Sequence, residues 1–252
     1  MAEHIGLEIC VDSPQGLLDA VANGADRIEL CSALALSGVT PSRALMKLAA
    51  STGCATYAMV RPHTGPYAYT DHDLDVMRWE IDEVREAGLA GVVFGANLAS
   101  GALDAETMAK LVAHSQGLGL TLHRAFDLTP DLSQALEIAI DRGFERVLTS
   151  GGARTAPEGV EQIAGLVEQA RGRISIMPGS GIVPATVEGV VRRTGVREVH
   201  GSCGKVVTEK RLISDRRDHA IRLGFITADS RETDGPAVAE VVAILKRLAI
   251  AR

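Results

Sequence analysis

Five polar side chains stand at or near the ends of short apolar segments: Glu8, Glu29, Arg61, His123 and His200. Imidazoles titrate near neutrality, carboxylates take or give protons, and a guanidinium holds an anion. Such a set could serve as the catalytic residues of a lyase, isomerase or hydrolase that acts on a small phosphorylated or carboxylated metabolite. The residue types assign no single reaction. A structural alternative is that the charges pair with one another, as Glu29 would with Arg61.

The stretch 120–127, Leu-Thr-Leu-His-Arg-Ala-Phe-Asp, concentrates this chemistry at one strand end. Three polar groups of different pKa are costly to bury together, so a functional role is a natural explanation. We expect His123 to be the working residue of the stretch. Arg124 and Asp127 are expected to lie at the rim or to fix a loop, because the alternation of strand side chains turns Arg124 outward.

Two of the four cysteines, Cys10 and Cys31, fall at equivalent inward positions of neighbouring predicted strands. Adjacent strands lie about 4.8 Å apart, so the two sulfurs could meet and bind a metal ion. Cu(I) prefers soft sulfur donors, and Met59 or Met177 could contribute a thioether. Two alternatives stay open: the cysteines are small buried apolar residues, or they form a reversible disulfide, which a reducing cytosol disfavours.

Glycine-bearing segments follow the sixth, seventh and eighth predicted strands. Bare backbone N–H groups at a helix start attract anions, and the last two of these loops commonly bind phosphate in barrel enzymes. The glycines could instead serve tight turns. The candidate anion-binding residues are Gly151, Gly152, Gly179, Ser180, Gly181, Gly201 and Ser202.

Proline and glycine divide the sequence into repeated strand and helix units, with prolines where helices begin and glycines where they end. The predicted strands cover residues 6–11, 26–31, 56–60, 91–94, 120–125, 146–149, 174–177 and 198–201. The predicted helices cover residues 14–23, 41–52, 71–87, 104–116, 131–142, 157–171, 184–194 and 236–249. Eight such units predict a single α/β domain over residues 1–252, a (β/α)₈ TIM barrel of eight parallel strands, with a long charged loop over 204–235 before the last helix.

The inner face of this barrel is predicted to be polar. Strand residues alternate between faces, and the outward face of a barrel strand packs on helices and must be apolar. This rule turns the five candidate catalytic side chains inward, together with Thr149 on the sixth strand. An open doubly wound sheet is the alternative architecture, but residues 10–14 (CVDSP) carry no glycine-rich dinucleotide fingerprint. Because barrel sites lie at the carboxyl ends of the strands, we expect the site there.

The composition and charge limit the kinds of partner that the protein could bind. The 252 residues carry a net charge of −6, which provides no basic surface for nucleic acid or for an anionic membrane. No apolar run reaches the length of a transmembrane helix, and the beginning of the sequence lacks the basic and apolar regions of a signal peptide. We therefore expect a cytoplasmic protein with reduced thiols and a small partner, either a copper ion or an anionic metabolite.

Eight strand-end motifs resemble those of the CutC copper-homeostasis family, in the same order along the chain. They are LEICVDS at 7–13, GADRIELC at 24–31, VRP at 60–62, GVVFG at 91–95, HRAFD at 123–127, LTSGG at 148–152, MPGSGI at 177–182 and HGS at 200–202. The resemblance implies a cytoplasmic (β/α)₈ barrel, a homo-oligomer with a dimer favoured, and a role in copper handling. It also implies Cu(I) binding by cysteines, here Cys10 and Cys31. The sequence departs from the family pattern after Ser202, in the charged stretch that runs to Asp234.

Overall fold

Eight parallel strands form a barrel in the computed structural model, which describes residues 4–207, 213–227 and 231–250. The strands are β1 (Gly6–Val11), β2 (Arg27–Leu30), β3 (Ala55–Met59), β4 (Gly91–Phe94), β5 (Gly119–Leu122), β6 (Arg146–Thr149), β7 (Ser175–Pro178) and β8 (Glu198–Gly201). Their hydrogen-bonded order is β7-β6-β5-β4-β3-β2-β1-β8, which places β1 between β2 and β8. The predicted α/β barrel is confirmed.

Helices follow the strands around the outside. They are α1 (Pro14–Ala22), α2 (Arg43–Ser51), α3 (Asp71–Glu86), α4 (Ala105–His114), α5 (Leu132–Asp141), α6 (Val160–Ala170), α7 (Pro184–Thr194), α8 (Ser214–Arg222) and α9 (Gly235–Ile250). Pro14 and Pro184 occupy first-turn positions, as the proline pattern predicts. Within the described part of the chain, no helix has both the length and the apolar character needed to cross a membrane.

The two faces of the strands differ as the alternation rule requires. Ile9, Ile28 and Val92 are completely buried and belong to the large apolar cluster between the strands and the helices. The inner face carries buried polar side chains, including Glu8 and Thr121. Burying this many polar groups is costly unless each finds a partner, so the interior is organised by hydrogen bonds and ion pairs as well as by apolar packing.

Two strand ends differ from the predicted pattern. β5 ends at Leu122 rather than at residue 125, because the His123 side chain accepts a hydrogen bond from the Ala125 N–H (3.2 Å) and begins a short 3₁₀ helix, Arg124–Leu128. On β6 the predicted inward placement of Thr149 is wrong. Leu148 lines the barrel mouth instead, while the Thr149 hydroxyl donates to Asp127 Oδ1 at 2.5 Å.

The predicted charged loop over 204–235 contains regular structure. β9 (Gly204–Val206) and β10 (Arg231–Thr233) pair as an antiparallel hairpin, and α8 lies between them in sequence. The hairpin packs against the start of α1, where a Cβ added to Gly16 would lie 2.8 Å from Thr233 Oγ1. Residues 208–212 and 228–230 lie outside the described residues. The hairpin thus stands beside the carboxyl end of β1.

Candidate functional site at the barrel mouth

His200 is held in one orientation by Glu8. Glu8 on β1 and His200 on β8 are direct neighbours in the strand register, and Glu8 Oε1 lies 2.8 Å from His200 Nδ1. Both side chains are buried. A carboxylate can only accept, so Nδ1 carries the hydrogen and Nε2 faces the remaining site. Burial lowers the pKa of His200, but the negative charge of Glu29, with smaller contributions from Cys10 and Glu8, raises it well above its usual value.

Below Glu8, two arginines fill the barrel interior. Arg27 forms ion pairs with Glu8 and, at 2.6 Å, with Glu198, and Arg146 reaches the other oxygen of Glu198 at 3.2 Å. Burial raises the pKa of Glu8, but the hydrogen bond from His200 and the charge of Arg27 outweigh it, and the pKa falls to about 2. Glu8 is therefore ionised at neutral pH. Sequence reasoning missed Arg27 and Arg146, although Arg27 shares the inward alternation of Glu29.

Cys10, Glu29 and His200 form the cluster with metal-ligand chemistry. A sulfur, a carboxylate oxygen and an imidazole nitrogen from these three buried residues lie within 4.8 Å of one another. Cys10 and Glu29 are register neighbours on β1 and β2, and His200 comes from the other neighbour of β1. Burial raises the pKa of Glu29, against the opposing effect of His200. A carboxylate that orients a histidine is the usual support of a metal-binding imidazole.

Cys31 borders this cluster through Glu29 but is not level with Cys10, contrary to the expected position. The register pairs Cys10 with Glu29, so Cys31, just past the end of β2, stands two residues beyond Glu29, or about 6.6 Å at strand spacing. Its Sγ lies 3.7 Å from Glu29 Oε2. Burial, with the neighbouring negative charge of Glu29, raises the pKa of the Cys31 thiol well above its usual value. Met177 is also turned away, because its sulfur accepts a hydrogen bond from Arg27 (3.2 Å).

The alternative in which Arg61 forms an ion pair with Glu29 is not what the structure shows, because the Arg61 guanidinium bonds to backbone carbonyl groups. Its guanidinium donates to the carbonyl oxygens of Leu36, Ser37 and Gly38 at 2.8–3.3 Å and to that of Gly65 at 2.8 Å. The side chain is buried and stacks on the Tyr67 ring with 4.9 Å between the guanidinium carbon and the ring centroid. In this arrangement Arg61 connects the loop at residues 36–38 to the loop at Gly65 by hydrogen bonds.

His123 lies in the same mouth but outside the metal-ligand cluster. Its ring is tilted against Tyr67, with 4.4 Å between the ring centroids. Gly95 makes room for it, because a Cβ there would lie 2.9 Å from the imidazole. Burial lowers the pKa of His123 to about 3, with a smaller effect from the positive charge of Arg61. The imidazole is therefore neutral at physiological pH.

Of the three glycine-bearing loops, one is closed by its own hydrogen bonds and two line the mouth. The Gly151 N–H donates to Thr149 Oγ1 (2.8 Å) and the Gly152 N–H to Asp127 Oδ1 (3.0 Å), so these amides already have partners. Asp127 thus occupies the position that an external anion would take. Ser180, Gly181, Gly201 and Ser202 instead line the mouth, and Gly179 bonds to the Thr149 carbonyl (2.9 Å) on β6.

A cavity of about 420 Å³ joins these groups at the carboxyl ends of the strands. Its inner wall includes Cys10, Glu29, His123 and His200, and its rim includes the 180–183 segment and Arg124. A neighbouring cavity of about 520 Å³ shares Cys10 and extends beneath the β9–β10 hairpin. Arg124 is held at the rim by Asp127 (2.7 Å) and Ser150 (2.6 Å). The mouth therefore combines a metal-ligand cluster with room for a small organic molecule.

A family model and several known proteins match this chain over most of its length. The family model of the CutC family matches residues 5–205, which include every strand of the barrel. The chain belongs to the CutC family. CutC family proteins of Caulobacter vibrioides and Rhizobium meliloti are each 53% identical to it, over 98% and 93% of this chain and 99% and 94% of the relatives.

A solved CutC structure supports the same assignment. The protein from Streptococcus agalactiae, which is named as a copper homeostasis protein, has a TM-score of 0.75 and 31% identity to this CutC family member. The match covers 79% of this chain and 98% of that one. A barrel aldolase with a TM-score of 0.60 is only 15% identical, so it supports the fold alone.

Proposed function

We propose that this CutC family member binds one Cu(I) ion at Cys10 and His200, beside Glu29, and serves copper homeostasis in the cytoplasm as a homo-oligomer, most simply a dimer. The observation that carries the proposal is the orientation of His200 by Glu8, which directs Nε2 toward Cys10 and Glu29. Thiolate and imidazole are donors that copper accepts, and two or three ligands suffice for Cu(I).

The surroundings of the cluster favour capture of a cation. Three carboxylate or thiol groups, namely Glu8, Glu29 and Cys10, stand around one imidazole. His200 must lose a proton from Nε2 before that nitrogen becomes a ligand, and Cys10 binds as the thiolate. The buried Glu8 keeps its charge because of Arg27, so it continues to orient the ring when the proton has left. Proton release should accompany metal binding.

An anaerobic titration of Cu(I) against a chromogenic chelator tests the proposal. We expect one ion per chain in the wild type, and a loss of at least ~100-fold in affinity in Cys10→Ser and in His200→Ala, more than the 10–100-fold typical of outer-shell partners. Cys54→Ser is the matched control, because the half-buried Cys54 bonds to the Ala25 carbonyl away from the mouth. Cys31→Ser should retain binding within about tenfold. Equal affinity of wild type and Cys10→Ser would contradict the proposal.

Catalysis on a small anionic metabolite is the second candidate function. It is favoured by the cavity of about 420 Å³, a volume typical of organic ligands and much larger than a single ion requires. The acid and base groups of this alternative are Glu29 and His200, with His123 on the same wall. A thermal-shift screen against phosphorylated and carboxylated metabolites tests it. A rise in the unfolding temperature is expected for a ligand, and silence across the panel would contradict it.

A further inference from the structure

His123 carries a buried hydrogen-bond donor that has no acceptor among the described residues. The Ala125 N–H donates to Nδ1 (3.2 Å), so the neutral ring must carry its hydrogen on Nε2. Nε2 is buried and has no hydrogen-bond partner among the residues that the structure describes. Leaving such a donor buried and unsatisfied destabilises the folded state. An apolar side chain at this position would avoid that cost.

Glu29 presents a complementary group on the same cavity wall. Its Oε2 lies 3.7 Å from Cys31 Sγ and 3.8 Å from His200 Nε2, but Oε1 is buried without a partner in the described chain. A carboxylate oxygen accepts hydrogen bonds. Two residues of the cavity wall thus carry a buried unsatisfied donor and a buried unsatisfied acceptor, one just after β5 and the other on β2. A ligand that satisfies both must itself carry a hydrogen-bond acceptor and a hydrogen-bond donor, such as the oxygen of an oxyanion and a hydroxyl group.

The rim of the cavity favours a negative charge on that ligand. Arg124 and Arg231 line it, and the 181–183 segment leads into the amino end of α7. Arg124 has its Nε and Nη2 engaged with Asp127 and Ser150, which fixes the guanidinium at the rim. Positive side chains and the start of a helix attract carboxylate and phosphate groups.

We propose that the mouth binds a small hydroxylated oxyanion, a hydroxy acid or a polyol phosphate, with an acceptor oxygen on His123 Nε2 and a hydroxyl on Glu29 Oε1. The anionic group lies toward Arg124 and the amino end of α7. Both inner atoms are sealed from solvent, so binding displaces a neighbouring side chain. On the His123 side, we assign this displacement to Tyr67, which is only partly buried and lies against the His123 ring. The proposal rests on the second candidate function, and copper binding does not depend on it.

Matched probes measure each part of this recognition by calorimetry with copper-free protein. Glycerate and propionate differ by two hydroxyl groups, glycerol 3-phosphate and inorganic phosphate differ by the glycerol, and glycerol lacks the anion. We expect saturable binding of glycerate or glycerol 3-phosphate, at least ~10-fold tighter than binding of propionate, phosphate and glycerol, since hydrogen bonds to charged or buried groups stabilise a complex more than those to exposed neutral groups. The stronger of the two hydroxylated anions identifies a carboxylate or a phosphate as the anionic group.

Variants assign the binding to His123. We expect His123→Ala to weaken the hydroxylated anion about tenfold or more and His123→Gln, which keeps a donor, to weaken it less. His114→Ala is the matched control, because His114 on α4 contacts Asp82 outside the mouth. Should His123→Ala fail to fold, the Nε2 resonance of ¹⁵N-labelled His123 in the wild type gives the answer, and it should shift on ligand addition.

Three results would overturn the inference: no saturable binding of either hydroxylated anion, binding of both hydroxylated anions no tighter than that of their matched probes propionate and phosphate, or a His123 resonance that does not respond to bound ligand. A thermal-shift hit from another chemical class, with both hydroxylated anions silent, would retain the second candidate function and reject this ligand. Cu(I) titration of the same protein reports on the metal site separately. Failure of the ligand site is therefore distinguishable from failure of the copper proposal.

Discussion

Replacing Glu8 by Gln should destabilise the barrel and change its response to acid. The substitution keeps the shape of the side chain but removes the charge that Arg27 and His200 share. A pKa lowered from 4.5 to about 2 corresponds to about 3 kcal/mol of unfolding free energy at neutral pH. Breaking a buried ion pair from one side costs about 3–5 kcal/mol, which agrees with that figure. We therefore expect a loss of about 3 kcal/mol in Glu8→Gln.

The pH dependence gives the sign of the effect. The folded-state pKa of Glu8 lies below its unfolded value, so its contribution is complete above pH 4.5 and is lost as the pH falls toward 2. Urea unfolding between pH 7 and pH 3 should show a steep loss in the wild type and a shallower one in Glu8→Gln. Glu106→Gln is the control, because the pair with Lys110 (2.8 Å) is exposed to solvent and contributes little to stability. Stability of Glu8→Gln within about 0.5 kcal/mol of wild type would refute the reasoning.

Two further predictions concern the mouth. In an NMR titration His200 should keep its proton to a higher pH than a free imidazole, because its pKa is raised well above 6.5, while His123, with a pKa of about 3, should stay neutral down to about pH 4. The stabilisation from His200 is complete below pH 6.5 and is lost as the pH rises through its folded-state pKa. A His200 that titrates at pH 6.5 would contradict this prediction. Asp127→Ala should lower the unfolding free energy by about 2–4 kcal/mol, because the carboxylate accepts hydrogen bonds from Thr149, Ser150 and Gly152. Chemical denaturation measures this loss, and a change below about 0.5 kcal/mol would contradict the prediction.

The fold was predictable because local signals repeat with the period of the barrel. Pro14 and Pro184 open helices where the pattern places them, and the apolar faces of the strands pack outward. Each unit carries its own strand, turn and helix information, so errors at single boundaries do not disturb the count. β5 shows such an error, since its end depends on a hydrogen bond between the His123 ring and a backbone N–H.

The sequence predicted which candidate side chains point into the barrel but not their contacts. Alternation correctly turns Glu8, Glu29 and His200 inward, yet their pairing depends on strand register, which the sequence does not reveal. The strand register offsets Cys31 from Cys10 by two residues and places Glu29 beside Cys10 instead. The partners of Arg61 are carbonyl groups of loops, whose paths no residue pattern specifies.

The resemblance seen in the motifs is confirmed at the level of the family, and the copper ligands are the part that needs direct observation. The Cys10, Glu29 and His200 cluster offers one sulfur, one oxygen and one nitrogen within 4.8 Å. Two cysteine ligands would require Cys31 to turn from Glu29 toward Cys10. These two arrangements place the metal at different depths in the mouth.

A crystal of the Cu(I)-loaded protein, with anomalous scattering recorded at the copper edge, tests the central claim most directly. We predict one anomalous peak per chain, bonded to Cys10 Sγ and His200 Nε2, with Glu8 still bonded to the other ring nitrogen. A mouth without an anomalous peak after loading, or a peak held by Cys31 without His200, would contradict the account.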